Sequence, residues 1–191
     1  MTVTGPGVGV DINQPQSPAV IFDPVVDPFA LTSSSSITRL SNTTTYTANT
    51  GWNNGTHNYL TFNVAAGGGG MIQIVGVDIY SSANPTLKLT GNLWLFNAIP
   101  GTLISDNASF LIASTDYVNL VGGCLSGYSF TLANTQSSGA ANSGVSIVPA
   151  EAYIQLKGTA LYGMVEVTNA YVPASGEILT VTLYIKGANF I

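Results

Sequence analysis

An all-β fold, an antiparallel β-sandwich of jelly-roll-like character with an extended N-terminal arm, is what this sequence predicts. Three observations carry it. Apolar residues recur at every second position in several short segments, which is the mark of half-buried strands. Pieces rich in Gly, Asn, Ser and Pro separate those segments at the spacing of a sandwich or barrel. No stretch holds three helical turns of i, i+3, i+4 apolar spacing with caps. An open double sheet is favoured over a closed barrel, and the absence of a fixed repeat argues against solenoids and propellers.

Residues 1–32 differ in kind from the rest and form the arm; residues 33–191 form the sandwich domain. Five of the nine prolines, Pro6, Pro15, Pro18, Pro24 and Pro28, precede residue 30. Each removes a backbone donor and disfavours helix just before it. The segment nevertheless carries Val20, Ile21, Phe22, Val25, Val26, Phe29 and Leu31, where a solvated tail would be polar. It therefore reads as an extended arm laid across a neighbouring surface. Pro18, Phe22, Pro24, Val25, Pro28, Phe29 and Leu31 are its candidate contacts with a shell or another subunit. The alternative is an edge strand docked on its own domain.

Within the domain, NYLTFNV alternates through Leu60, Phe62 and Val64. MIQIVGVDIY sets Ile72 and Ile74 on one parity and Val77 and Ile79 on the other, so a β-bulge is expected at Val75-Gly76. TLKLTGNLWLF reads as two short apolar stretches interrupted at Gly91-Asn92. SFLIA, YSFTL, AYIQLK and LYGMVEV are further strands, and LTVTLYIK closes the set with Leu179, Val181, Leu183 and Ile185 on one face. About eight strands result. NTGWNNGTHN, AAGGGG, SSANP, NAIPG and ANTQSSGAANSG are read as turns and loop tips.

Charged residues make up only 7% of the chain, against about 25% in an ordinary soluble domain, although 46% is hydrophobic and the mean hydropathy is +0.34. Ser, Thr, Asn and Gly replace ions on the surface, and hydroxyls and amides shed water more cheaply than charges. Such a surface suits a protein covered by copies of itself or by a larger assembly. An extracellular β-domain solubilised by hydroxyls is the other reading. A net charge of −5 and four scattered cations, Arg39, Lys88, Lys157 and Lys186, argue against nucleic-acid binding. No apolar run is long enough to cross a bilayer, and no membrane partner is expected. The first residues lack the basic and apolar regions of a secretory signal, so synthesis in the cytoplasm is expected.

Catalytic groups are sparse. His57 is the single imidazole, in a polar turn with no carboxylate beside it, and G-x-S-x-G is absent. Cys124 has no basic neighbour to lower its pKa and reads as a small buried hydrophobe. Asp106 and Asp116 bracket SFLIA; on one extended strand they would stand roughly 30 Å apart, too far for a glycosidase pair, and each is expected to cap a turn. Asp78 lies in another strand. Neither a calcium loop, a zinc ligand set nor a phosphate loop is present in the sequence pattern. No cofactor, no metal and no enzymatic activity are expected. Trp52, in a polar loop, is the candidate glycan contact; Trp94, between Leu93 and Leu95, is expected to face away from them.

SSSSITRLSNTTTYTANTGW, MIQIVGVDIY, KLTGNLWLFNAIPG, SDNASF and LYGMVEVTNAYVPASGEILTVTLYI together resemble virion structural proteins of tailed bacteriophages, in particular capsid decoration (cement) proteins with jelly-roll-like domains. The resemblance covers about residues 33–185 and carries no catalytic signature. It implies a location on the capsid surface of the virion, the major capsid protein as partner, and self-association as a homotrimer. It extends also to fibre, tail or baseplate proteins of the same particles, for which a receptor- or glycan-binding role is the alternative.

Overall fold

The computed structural model describes residues 31–54, 59–64, 70–121, 127–134, 142–148 and 153–188. The candidate arm contacts Pro18, Phe22, Pro24, Val25, Pro28 and Phe29 lie outside the described residues, as do His57 and Cys124.

Among the described residues there are eleven strands: β1 Leu31–Thr38, β2 Thr50–Trp52, β3 Leu60–Asn63, β4 Met71–Ser81, β5 Thr90–Phe96, β6 Tyr128–Thr131, β7 Ala133–Asn134, β8 Ser143–Ile147, β9 Tyr153–Gln155, β10 Ala160–Val167 and β11 Ile178–Ala188. The first sheet runs β1-β11-β4-β8-β7, with β9 also on β4; the second runs β2-β10-β5-β6, with β3 also on β10. Every pairing is antiparallel.

These strands fill eight positions. β2 and β3 share one position along β10, β8 and β9 share one along β4, and β6 continues through Leu132 into β7. Numbered along the chain, positions 1 and 8, 2 and 7, 3 and 6, and 4 and 5 pair as one long nested hairpin. That hairpin is wrapped so that 8 also meets 3 and 7 also meets 4. The result is a jelly roll, the double-sheet arrangement found in viral capsid and lectin domains. The all-β sandwich read from the sequence is the fold observed.

Packing explains the pattern. Leu179, Val181, Leu183 and Ile185 of β11 and Ile72, Ile74, Val77 and Ile79 of β4 face Leu60, Phe62, Leu93, Leu95, Leu161 and Val165 of the second sheet, all buried in one core. The predicted bulge exists: Tyr184 pairs with Gly76 and Ile185 with Ile74, so Val75 is left without a partner residue and both halves of β4 point inward. β1 starts at Leu31, whose backbone partner is Ile185 of the same chain.

Two expectations are corrected. Gly91 and Asn92 do not interrupt an apolar stretch; they lie within β5 in unbroken register with β10 and β6. A Cβ at Gly91 would stand 2.4 Å from the Glu166 carbonyl oxygen and 2.8 Å from the Phe130 ring, so close strand approach explains the glycine. SFLIA is not a strand; it belongs to the long connection between β5 and β6, and makes an isolated bridge, Ser109 to Thr50.

Candidate functional site

Sheet parity gives the second sheet an outer face as well as a core face. Trp94, Phe96 and Met164 point outward, away from Leu93 and Leu95, as expected for Trp94. Left bare, that face would expose aromatic surface. The connection 97–121 covers it, inserting Ile104 and Phe110 into a second apolar cluster. Phe110 lies 5.8 Å from Trp94, centroid to centroid. The indole N–H of Trp94 donates to Glu166 at 3.0 Å, and the Asn92 amide donates to the same oxygen at 2.9 Å.

Backbone bonds hold the connection at both ends and its middle. Asn97 N–H donates to the Asn119 carbonyl, Val121 N–H to Leu95, and Gly51 N–H to Ala108. Asp116, in a 3₁₀ turn at Ser114–Asn119, accepts from the Gly101 amide at 3.0 Å, the Thr102 amide at 2.8 Å and the Thr102 hydroxyl. Burial pushes this carboxyl up, but the Thr102 hydroxyl and the two amides outweigh it and hold it below the ordinary carboxylate range. The sequence suggests a local turn cap for Asp116; it instead ties its own 3₁₀ turn to the start of the connection, 14 and 15 residues earlier.

Asp106, also expected to cap a turn, reaches across the fold instead. It forms an ion pair with Arg39 at 3.1 Å, the two side chains being 6% and 0% exposed. It also accepts from the Tyr46 hydroxyl and from the Asn53 amide at 3.1 Å. Arg39 further donates to the Asn42 carbonyl and side chain, both at 3.0 Å, and its guanidinium lies 4.7 Å from the Tyr46 ring centre. Tyr46 stacks on Trp52 at 5.4 Å, and Tyr171 completes the aromatic group. The Tyr171 hydroxyl donates to buried Glu177 at 2.7 Å. This polar and aromatic knot ties the β5–β6 connection to those before β2 and before β11. Burial first, and then bonding to Asp106 or Glu177, pushes the Tyr46 and Tyr171 phenols far above their ordinary value.

Trp52 is therefore a correction. It lies in β2, is 1% exposed, and has its ring against Tyr46, so its face is closed to any glycan. The polarity of the flanking Asn and Gly residues suggested an open loop; Gly51 and Asn53 are instead buried, and the Asn53 side chain donates to the Ile104 carbonyl at 2.8 Å.

Two surfaces stand out among the described residues. On the connection 97–121, Ile99 (61%), Leu103 (63%), Leu111 (76%), Tyr117 (46%) and Val118 (75%) are exposed. Its two carboxylates, Asp106 and Asp116, are both occupied inward, so this stretch shows apolar groups and no charge. On the outer face of the first sheet, Ser34 pairs with Thr182 and Ser36 with Thr180 through their hydroxyls, at 2.7 and 2.9 Å. Asp78 accepts from the Tyr184 hydroxyl there at 2.7 Å, which pushes that phenol up. Among the described residues no group of three or more His, Cys, Asp and Glu side chains is placed to hold a metal ion. No helix among them is long and apolar enough to cross a membrane.

No family model matches the chain, and no curated protein matches it. Among solved structures, a chain described as "KBV activated particle at acidic pH" is similar at a TM-score of 0.31 and 13% identity, over 83% of this chain and 70% of that one. The jelly-roll assignment rests on strand pairing and not on that likeness.

Proposed function

We propose that this chain is a structural protein of a virus particle, and that it decorates the outside of a tailed-phage capsid and stiffens it by burial, without catalysis. The observation that carries this reading is the 97–121 connection, which presents five large apolar side chains and no charge to its surroundings. That number of exposed large apolar side chains on one segment that shows no charge suits a surface that is covered on association. Low overall charge, the jelly-roll frame and the resemblance of residues 33–185 to decoration proteins support the same reading. The apolar, proline-stiffened arm would add a second attachment, to the major capsid protein or to a neighbouring copy in a trimer.

Copy number per particle tests it. Labelling of purified particles should be even over the shell, with hundreds of copies, and substitution of His57 and Cys124 together should leave it unchanged. A dozen copies or fewer, confined to tail or fibre, would replace capsid decoration with the adhesin reading.

A further inference from the structure

The outer face of the first sheet has its own chemistry, independent of shell attachment. Three adjacent cross-strand rows carry it, and a further row on the same face holds Lys186, Gln73 and Tyr153. Ser36, Thr180, Tyr80 and Gly144 form the first, Ser34, Thr182, Asp78 and Ser146 the second, and Thr32, Tyr184 and Gly76 the third. Asp78 is the one ionisable acid or base in these rows other than the two phenols.

Both tyrosines lean over a glycine of the adjacent strand. A Cβ at Gly144 would come within 2.6 Å of Tyr80 Cδ1 and 2.8 Å of Cε1; one at Gly76 would stand 3.3 Å from Tyr184 Cδ2. Each ring thus occupies the space a neighbouring side chain would fill. Covering a glycine in this way stabilises a sheet. It also turns the other side of the ring outward, and Tyr80 is 44% exposed. Tyr80 and Gly76 are four residues apart on β4, roughly 13 Å along the backbone, and the Tyr184 ring reaches from Gly76 toward Asp78 within that span. Asp78 sits midway, pinned by the Tyr184 hydroxyl, with one carboxylate oxygen holding that bond.

We propose that Tyr80, Asp78 and Tyr184 form a binding site for a neutral hexopyranose oligosaccharide. A sugar ring offers an apolar C–H face to an aromatic ring and hydroxyl donors to a carboxylate. The flanking Thr180, Thr182 and Ser146 hydroxyls donate or accept as needed. Two flat rings separated by an acceptor match a di- or trisaccharide. The Asp78 carboxylate at the centre of the site disfavours sialylated or sulfated glycans there; Lys186 stands on the same face one row beyond Tyr184, opposite Gln73. The site is distant in sequence from Trp52, and Trp52 plays no part in it.

The full chain should be screened on an array of neutral and acidic glycans, and the neutral hits titrated by protein-observed NMR. Selective retention of neutral hexose oligomers is expected, with shifts at Tyr80, Asp78 and Tyr184. Tyr80→Ala and Asp78→Asn should each weaken binding at least tenfold while the circular dichroism spectrum is kept, and Tyr80→Phe should retain it. Retention of no neutral glycan overturns the proposal. So does binding that survives the Tyr80→Ala, Tyr184→Ala pair, or a face that becomes protected from labelling when the chain associates with protein. None of these outcomes alters the copy-number result that tests shell decoration.

Discussion

At the scale of single residues, the sole arginine governs the most consequential prediction. Arg39 is fully buried, and Asp106 is the carboxylate with which it pairs. Taking one partner from a buried pair leaves a charge without compensation and costs about 3–5 kcal/mol. Asp106→Ala is expected to lie in that range by urea denaturation, and to release Tyr46 and the Asn53 amide as well. Arg39→Met combined with Asp106→Leu should cost less than the single change, because no charge is stranded. A second prediction follows from the phenols of Tyr46 and Tyr171, both raised above 10 in the folded chain, first by burial. Above that pH the unfolded chain loses these protons and the folded chain keeps them. Their contribution is therefore complete below pH 10 and is lost as pH rises beyond it. Melting temperature measured from pH 8 to 12 should fall above pH 10, and the fall should shrink in Tyr171→Phe. None of this was legible in the sequence. Arg39 and Asp106 stand 67 positions apart, and only the fold brings them together.

Elements were legible where one face is apolar and the other polar. β3, β4 with its bulge and β11 show that contrast, and the register slip at Val75 followed from parity alone. β1 gave no such signal, because LTSSSSIT pairs through its backbone and through hydroxyls at Ser34 and Ser36 instead of through an apolar stripe. β2 has three residues and sits among Asn and Gly, so its Trp52 read as loop. SFLIA misled for the opposite reason. Phe110 is buried beneath the connection while Leu111 faces out, which reproduces strand alternation with no ladder. The connection depends on Asp116. Asp116→Ala should strand the Gly101 and Thr102 amides, cost about 1–3 kcal/mol, and speed hydrogen exchange at those amides. The carboxyl is held below its ordinary 3.8, so its contribution is complete above that pH and disappears as pH falls through the lower folded value. Protection of Gly101 and Thr102, taken relative to the intrinsic exchange rate at each pH, should therefore fall in acid before that of β4 and β11.

For the whole molecule, the jelly roll places a covered face and an open face on opposite sides. The open sheet is hydroxylated; the covered one wears an apolar, uncharged connection. Decoration should depend on the latter. Leu111 and Val118 are 76% and 75% exposed, so Leu111→Glu with Val118→Glu should change folding stability by no more than about 0.5 kcal/mol each. In a docked interface the same carboxylates would be stripped of water with no partner, which costs far more than surface exposure does. The variant is thus expected to melt like the parent and yet fail to decorate particles lacking the native protein. On the proposed reading the arm would make a separate contribution. Phe22 and Phe29 would each supply about 1.5–3 kcal/mol on full burial, and Pro18, Pro24 and Pro28 reduce the entropy lost in docking. Removing residues 1–30 leaves every described strand intact in sequence. That truncated chain should fold and bind at least a hundredfold more weakly. If it binds as tightly as the full chain, the arm is no anchor; if the double Glu variant also binds unchanged, the connection is not the docking surface and the capsid reading loses its main support.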